Sequence, residues 1–198
     1  MNKPFSPSAD RNKEPILGAL RHELADNQQV LEIGSGTGQH ACFFAAALPS
    51  IRWQPTELKQ NIPAIQRWIS EQPINNVLPP KELDVDVHPW PIHSADVCYT
   101  CNTFHIVSAQ SVKNIYRGCK ALLGSGGKLC VYGPFSIDGQ HNSAGNESFD
   151  QQLRASNPDS GIRDLSQLDE IAQQSGFSAY RCTKMPANNL FVVWEIQD

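Results

Sequence analysis

Two hydrophobic rhythms alternate along the chain. One repeats every three to four residues, and the other is a short apolar run or a strict alternation. "KEPILGALRHELA" places Ile16, Leu17, Leu20 and Leu24 on one helical face, with Pro15 tolerable in a first turn. "VLEI" follows as a strand, then a glycine turn, then a helix from Gln39 to Leu48. "IRWQPTE" is a second strand, and "KQNIPAIQRWISEQ" a helix with Pro63 near its start. "ELDVDV" and "ADVCYTCN" are third and fourth strands. "SVKNIYRGCKALLG" is a helix with Gly124 placed to cap it, and "GKLCVYGPF" is a fifth strand. "SIDGQHNSAGNES", rich in glycine, serine and asparagine, reads as a mobile loop. "DLSQLDEIAQQSG" is a helix, and the turn "MPANN" joins two last strands, "FSAYRCTK" and "NLFVVWEIQD".

Strands separated by helices predict a parallel sheet covered by helices on both faces. Two strands joined by a short turn must run antiparallel. The expected fold is therefore α/β: a mostly parallel seven-stranded sheet with one antiparallel strand near the C-terminus, in one domain over residues 1–198. Ligands of such sheets bind beyond the carboxyl ends of the strands. The glycine turn follows the first strand and falls there.

Composition narrows the classes. The 198 residues are 40% hydrophobic and 18% charged, a globular balance with length for a real core. A net charge of -4 gives no basic footprint for nucleic acid. No apolar run approaches the ~18–20 residues a bilayer requires, and the N-terminus lacks the apolar centre of a secretion signal. A cytoplasmic protein with no membrane partner is expected, its six cysteines reduced. "CYTC", Cys98 to Cys101, has the spacing of a redox or zinc pair, but residues three apart on a strand point to opposite faces. No metal site is expected.

The turn in "VLEIGSGTGQH" carries the candidate chemistry. Glycines after a strand let backbone approach a ligand closely, and the next helix offers N–H donors. A triphosphate-binding P-loop needs GxxxxGK[ST], and this turn has no lysine. A dinucleotide site needs GxGxxG, and from Gly34 the third glycine would fall at Gln39, which weakens that reading but leaves it open, because variants exist. S-adenosylmethionine fits without adjustment, as ExGxGxG over Glu32, Gly34, Gly36 and Gly38, with Ser35 inside the turn. Glu32 can favour the ligand's ammonium, directly or through water. Glu57, ending the second strand, can accept both ribose hydroxyls, as acids do in dinucleotide sites. Asp84, in the third strand, is placed for the adenine amino group. Both acids also have a plain reading, as helix caps or solvated carboxylates.

These residues resemble the class I S-adenosylmethionine-dependent methyltransferases. More narrowly, "RNKEPI", "VLEIGSGTGQHACFFAAALP", "WQPTE", "LDV", "CNTFHI", "GIRD" and "MPANN" resemble an uncharacterised, methyltransferase-like family within that superfamily. The resemblance runs from Arg11 to Trp194. It implies a Rossmann-like fold and S-adenosylmethionine as cofactor, leaving S-adenosylhomocysteine as product. It implies no substrate. Many members carry aspartate after strand two, where this chain has Glu57.

Methyl transfer asks mainly for positioning and desolvation, and for a base only if the acceptor has a proton to lose. The acceptor is expected above the fourth and fifth strands, at "CNTFHI" and "VYGPF". Asn102 can bond cofactor or acceptor. His105 is the candidate base, with a pKa near ~6.5 if unperturbed. Tyr132 can orient the acceptor or offer its ring face to a sulfonium. His105 as a packed helix-start residue and Tyr132 as core stay open beside these roles. "NTFH" is not the [DN]PP[YFW] of enzymes that methylate exocyclic amines of bases. Arg11, Asn12 and Lys13 stand before the expected first helix, either folding over the cofactor or merely starting that helix. His141 falls in the expected loop, as part of a lid or simply solvated. Asn188 and Asn189 suit a tight turn or a substrate contact.

The expected activity is methyl transfer from S-adenosylmethionine to a small molecule. A NAD(P)-dependent oxidoreductase on the same type of sheet, a non-catalytic S-adenosylmethionine-binding module and a protein methylase are the rivals.

Overall fold

A computed structural model describes residues 3–72 and 74–197. Asp198, with which the expected last strand ends, lies outside the described residues. The chain divides into two compact units, up to Thr100 and from Cys101 onward.

The first unit opens with α1 (Pro7–Glu23) and β1 (Gln29–Ile33). It continues with α2 (Gln39–Ala47), β2 (Arg52–Glu57), a 3-10 turn into α3 (Ile62–Ser70), and the two-residue β3 (Lys81–Glu82). β4 (Val97–Cys101) ends at the boundary. β1 pairs in parallel with β2 and β4, and β2 with β3. The buried faces of these strands meet aromatic rings. Phe44, Trp53 and Tyr99 stand 5.4–5.8 Å apart, two of the three pairs edge-on. Ile16, Leu17 and Leu20 of α1 are buried as their helical spacing requires.

The second unit holds α4 (Ala109–Leu122), β5 (Lys128–Gly133), β6 (Phe135–Ile137), β7 (Gln140–His141) and α5 (Ala144–Ser156). β8 (Arg163–Asp164), α6 (Leu165–Gln174), β9 (Arg181–Met185) and β10 (Asn189–Glu195) complete it. β10 is antiparallel to both β5 and β9. Tyr116 packs edge-on against Phe104, Phe177 and Trp194.

The sheet order is β3-β2-β1-β4-β5-β10-β9. The fold is the Rossmann-like, mostly parallel α/β sheet expected, with the antiparallel strand where the short last turn requires it.

Four local expectations are corrected. α1 begins six residues early, because the Ser6 side chain accepts from Ala9 N and Pro7 occupies the first helical position. Arg11, Asn12 and Lys13 are therefore inside the helix, and Pro15 lies in its interior. Burial of Ile16, Leu17 and Leu20 outweighs the lost bond. The third strand pairs only over Lys81–Glu82. Leu83 N still donates to Glu57 O, but the Asp84 carboxylate then accepts from Asp86 N at 2.9 Å and turns the chain. So Asp84 lies past the strand, exposed. Gly124 is not the left-handed residue after α4; Gly126, with φ 72°, is. The polar stretch after β5 is not a loop. It forms the β6–β7 hairpin and the first turns of α5, capped by Ser143. Its asparagines carry specific bonds: Asn142 and Asn146 both donate to Asn188 O, at 2.9 and 3.1 Å.

Candidate functional site

The turn after β1 is built from backbone. Gly34, Gly36 and Gly38 have φ of 72°, 56° and 89°, all left-handed, a conformation only glycine adopts freely. Gly38 has a second reason: a Cβ on it would lie 2.9 Å from Ile65 Cα, so α3 packs directly on the turn. A Cβ on Gly36 would meet nothing within 4 Å. Open space therefore lies beside the middle of the turn and packed protein beside its end.

Acids flank that space at two depths. Glu32 is 2% exposed. Its Oε2 accepts from Trp53 Nε1 at 2.9 Å and Ser35 Oγ at 3.0 Å. Burial drives its pKa up to about 7; those two bonds oppose the rise and the charge of Glu57 adds to it. Glu32 sits behind the turn and holds it through Ser35, which also accepts from Thr56 N at 3.2 Å. Glu57 stands at the front. Its Oε2 accepts from Gly36 N at 2.9 Å, and its Oε1 from Leu58 N at 2.8 Å and Asn61 Nδ2 at 3.3 Å. A carboxylate offers about four acceptor sites, so one stays open, and release of the long Asn61 bond frees another. Asp84 follows Leu83, whose N–H bonds the Glu57 carbonyl, so Asp84 lies just beyond β3, next to the strand that Glu57 ends.

Asn12 is buried and brought to α2, not to the open side of the turn. Its Oδ1 lies 2.8 Å from His40 Nε2, which also lies 3.1 Å from Ala9 O. Both partners are acceptors, so Nε2 carries the hydrogen. Burial lowers His40 to about pKa 4, and the charge of Lys13 lowers it further against the pull of the Ala9 carbonyl. Gln39 clasps the start of α1, accepting from Ser6 N and donating to Ser6 O. Gln39 and His40 are site-building residues that the sequence reading did not single out. Their signal was two polar side chains in the first turn of an otherwise apolar helix.

Asn102, His105 and Tyr132 come together in the second unit. Asn102, just past β4, adopts φ 57° and donates its N–H to Tyr132 O at 2.8 Å. Asparagine tolerates this left-handed conformation better than most residues, and here it turns the chain just past β4. A Cβ built on Gly133 would lie 3.7 Å from both Asn102 Oδ1 and His105 Nδ1, so both atoms border the end of β5. Tyr132 itself is buried, in register with Phe191. His105 is 5% exposed, and its ring meets Phe149 edge-on. Burial lowers its pKa from the ordinary 6.5 to about 4, and the Arg163 guanidinium adds to that. His105 is thus neutral at pH 7 and a weaker base than the unperturbed value implies. Arg163 holds this segment in place, donating to the carbonyls of Phe104, Val107 and Asp159. It belongs to "GIRD", and only the folded chain connects it to His105.

His141 lies on β7 with Nε2 3.5 Å from Asp150, at the edge of a cavity of about 700 Å³ between α4, α5, α6 and the hairpin. Asp150 accepts from Ile162 N and Arg154 Nε. Burial raises its pKa, but Arg154, Ile162 N–H and His141 outweigh this and hold it below the usual range. The cavity carries charges of both signs, Asp150 paired with Arg154 and His141 and Arg163 spent on backbone carbonyls, so it names no ligand. Among the described residues no group of three or more His, Cys, Asp or Glu could hold a metal. Among the described residues no helix is long and apolar enough to cross a membrane.

A family model described as "Protein of unknown function (DUF938)" matches residues 3–196. Solved structures share the fold at low identity. Human N-acetylserotonin methyltransferase in complex with S-adenosylmethionine superposes with a TM-score of 0.82 at 12% identity, over 96% of this chain and 53% of that one. The S-adenosylmethionine-dependent methyltransferase SibL in its apo form gives 0.81 at 18%, over 96% and 56%. PigF with S-adenosylhomocysteine gives 0.78 at 19%, over 96% and 63%. The chain spans between half and two thirds of the length of these proteins. At these identities the likeness establishes the fold.

Proposed function

The chain belongs to the DUF938 family of proteins of unknown function, and from that premise we propose that it is an S-adenosylmethionine-dependent methyltransferase acting on a small molecule. The observation that carries the reading is the turn Gly34–Gly38: three left-handed glycines, open space beside Gly36, and the Glu57 carboxylate on the Gly36 N–H. The reading is supported by a fold shared with structures solved with S-adenosylmethionine or S-adenosylhomocysteine.

The residues suit the cofactor. Glu57 and the turn would hold ribose and amino-acid tail, Glu32 acts through Ser35, and Asp84 stands one strand over for the adenine edge. When bound, the cofactor supplies an activated methyl carbon. Asn102, His105 and Tyr132 would line the acceptor. His105, kept neutral, offers a lone pair to an acceptor proton at physiological pH but holds a proton weakly. The net charge of -4 argues against a nucleic-acid substrate. We place the enzyme in the cytoplasm.

Calorimetric titration with S-adenosylmethionine, S-adenosylhomocysteine and NAD(P)H tests the reading. The first two are expected to bind and compete, and the nicotinamide not to. Label transfer from the methyl-labelled cofactor into the low-mass fraction of a cell extract is expected next. Binding of the nicotinamide instead sinks the proposal, and label in protein turns it toward a protein methylase.

A further inference from the structure

Gly133 ends β5, is buried, and has no structural need to be glycine. Its φ is not in the left-handed region. Where packing does demand glycine in this chain, the clash is plain: a Cβ would lie 2.9 Å from backbone at Gly38 and 2.8 Å at Gly127. At Gly133 a Cβ meets nothing closer than 3.7 Å among the described residues, an ordinary contact. Alanine would fit, and a strand is stronger with alanine than with glycine. A strand glycine that neither turn nor packing explains marks close approach by something else.

The two atoms at 3.7 Å say what approaches. Asn102 Oδ1 is an acceptor, and a neutral imidazole whose hydrogen sits on Nε2 presents its lone pair at Nδ1, so the slot suits a visitor that brings hydrogen. Beside them Phe149 is 38% exposed, its ring 5.4 Å from the His105 ring. That gives an apolar face next to a polar slot. We infer that Gly133 is a specificity-determining residue: its missing side chain keeps a slot open, between Asn102 Oδ1 and His105 Nδ1, for the O–H or N–H of an aromatic hydroxyl or amine whose ring lies against Phe149. This deepens the methyltransferase reading, on which it rests for the identity of the acceptor.

The test uses the full chain, with imidazole nitrogens labelled and His105 assigned through His105→Gln. Phenol and aniline are the donor probes, and anisole is the same ring without a donor. Phenol and aniline are expected to shift the His105 resonances, with anisole at least tenfold less effective at equal concentration. Gly133→Ala is expected to melt within about 4 °C of wild type and to lose both responses. An equal response to anisole, a response retained in Gly133→Ala, or none in wild type (a slot holding water only) would each overturn the inference. So would a Gly133→Ala that melts far below wild type, since glycine would then be structurally required. S-adenosylhomocysteine binding, measured on the same samples, separates the two proposals: its loss in wild type ends the methyltransferase reading, whatever the probes show.

Discussion

Glu32 and Glu57 are the same residue type 25 positions apart and do opposite work, because one is buried and the other faces the open side of the glycine turn. Gly36→Val and Glu57→Ala are each expected to weaken S-adenosylhomocysteine at least tenfold, about 1.4 kcal/mol, while circular dichroism stays that of wild type. The valine takes the space beside the turn and strains its left-handed backbone, and the alanine removes the acceptor that Gly36 N and the ligand share. Calorimetry checks both, and wild-type affinity in either dissolves the site. Glu32 makes a different prediction. Its folded pKa, about 7, lies above the ordinary 4.5, so the native state binds the extra proton between those values and stability falls as pH rises through them. Glu32→Gln keeps an acceptor for Trp53 and Ser35 without the charge. It is expected to stabilise the protein at pH 8 by about 3 kcal/mol and at pH 5 by under about 1 kcal/mol, read from urea midpoints. The position of Glu32 before the glycines was legible in the sequence. Its environment was not, since Trp53 is 21 residues away and reaches it only across paired strands.

Among the elements, the segment from Ser136 to Asp164 departs most from its sequence pattern. Glycine, serine and asparagine ordinarily mark loops, because their side chains compete for backbone bonds. Here the same capacity builds structure. Asp164 joins β8 to α6 and collects four donors: Ser136 Oγ, Gly139 N, Ser166 N and Gln167 N. Burial raises its pKa, but the bonds from Gly139, Ser136, Gln167 and Ser166 outweigh it and hold the carboxyl below the usual range. Asp164→Ala removes the helix cap and the hairpin tie together. The expected cost is about 2–3 kcal/mol, measured by urea denaturation, with faster hydrogen exchange at Gly139 and Ser166. A cost near zero would mean the hairpin is held by other contacts. Long periodic elements, α4 and α6 above all, were legible because a repeating apolar face specifies a helix wherever it packs. The third strand was not, since Asp84 bends the chain locally before alternation can be realised as pairing.

Across the whole molecule, three buried titratable groups govern the response to acid. His40 and His105 have folded pKa values of about 4, below the ordinary 6.5. Both are buried neutral, so their contribution is present above pH 6.5 and is lost as pH falls toward 4, where the unfolded chain takes up the protons. Glu32 acts in the other sense below pH 7. Two groups oppose one, each on the order of 2–3 kcal/mol, so net stability is expected to drop between pH 6.5 and 4.5. His40→Gln, which keeps a donor for Asn12, is expected to flatten that drop, and denaturation curves at pH 7 and 5 would show it; an unchanged slope removes His40 from the account. The family resemblance and the parallel sheet with its reversed strand lay in the linear pattern. So did the glycine turn with Glu57 in reach, because periodicity, turn chemistry and strand order are set by near neighbours. The tertiary structure alone decided which polar groups lost their water. Burial turned Glu32, His40 and His105 away from their ordinary pKa values, tied Arg163 to the His105 segment, and made Gly133 a position that packing does not explain. These depend on side chains brought together from distant positions, a property no local window of sequence contains.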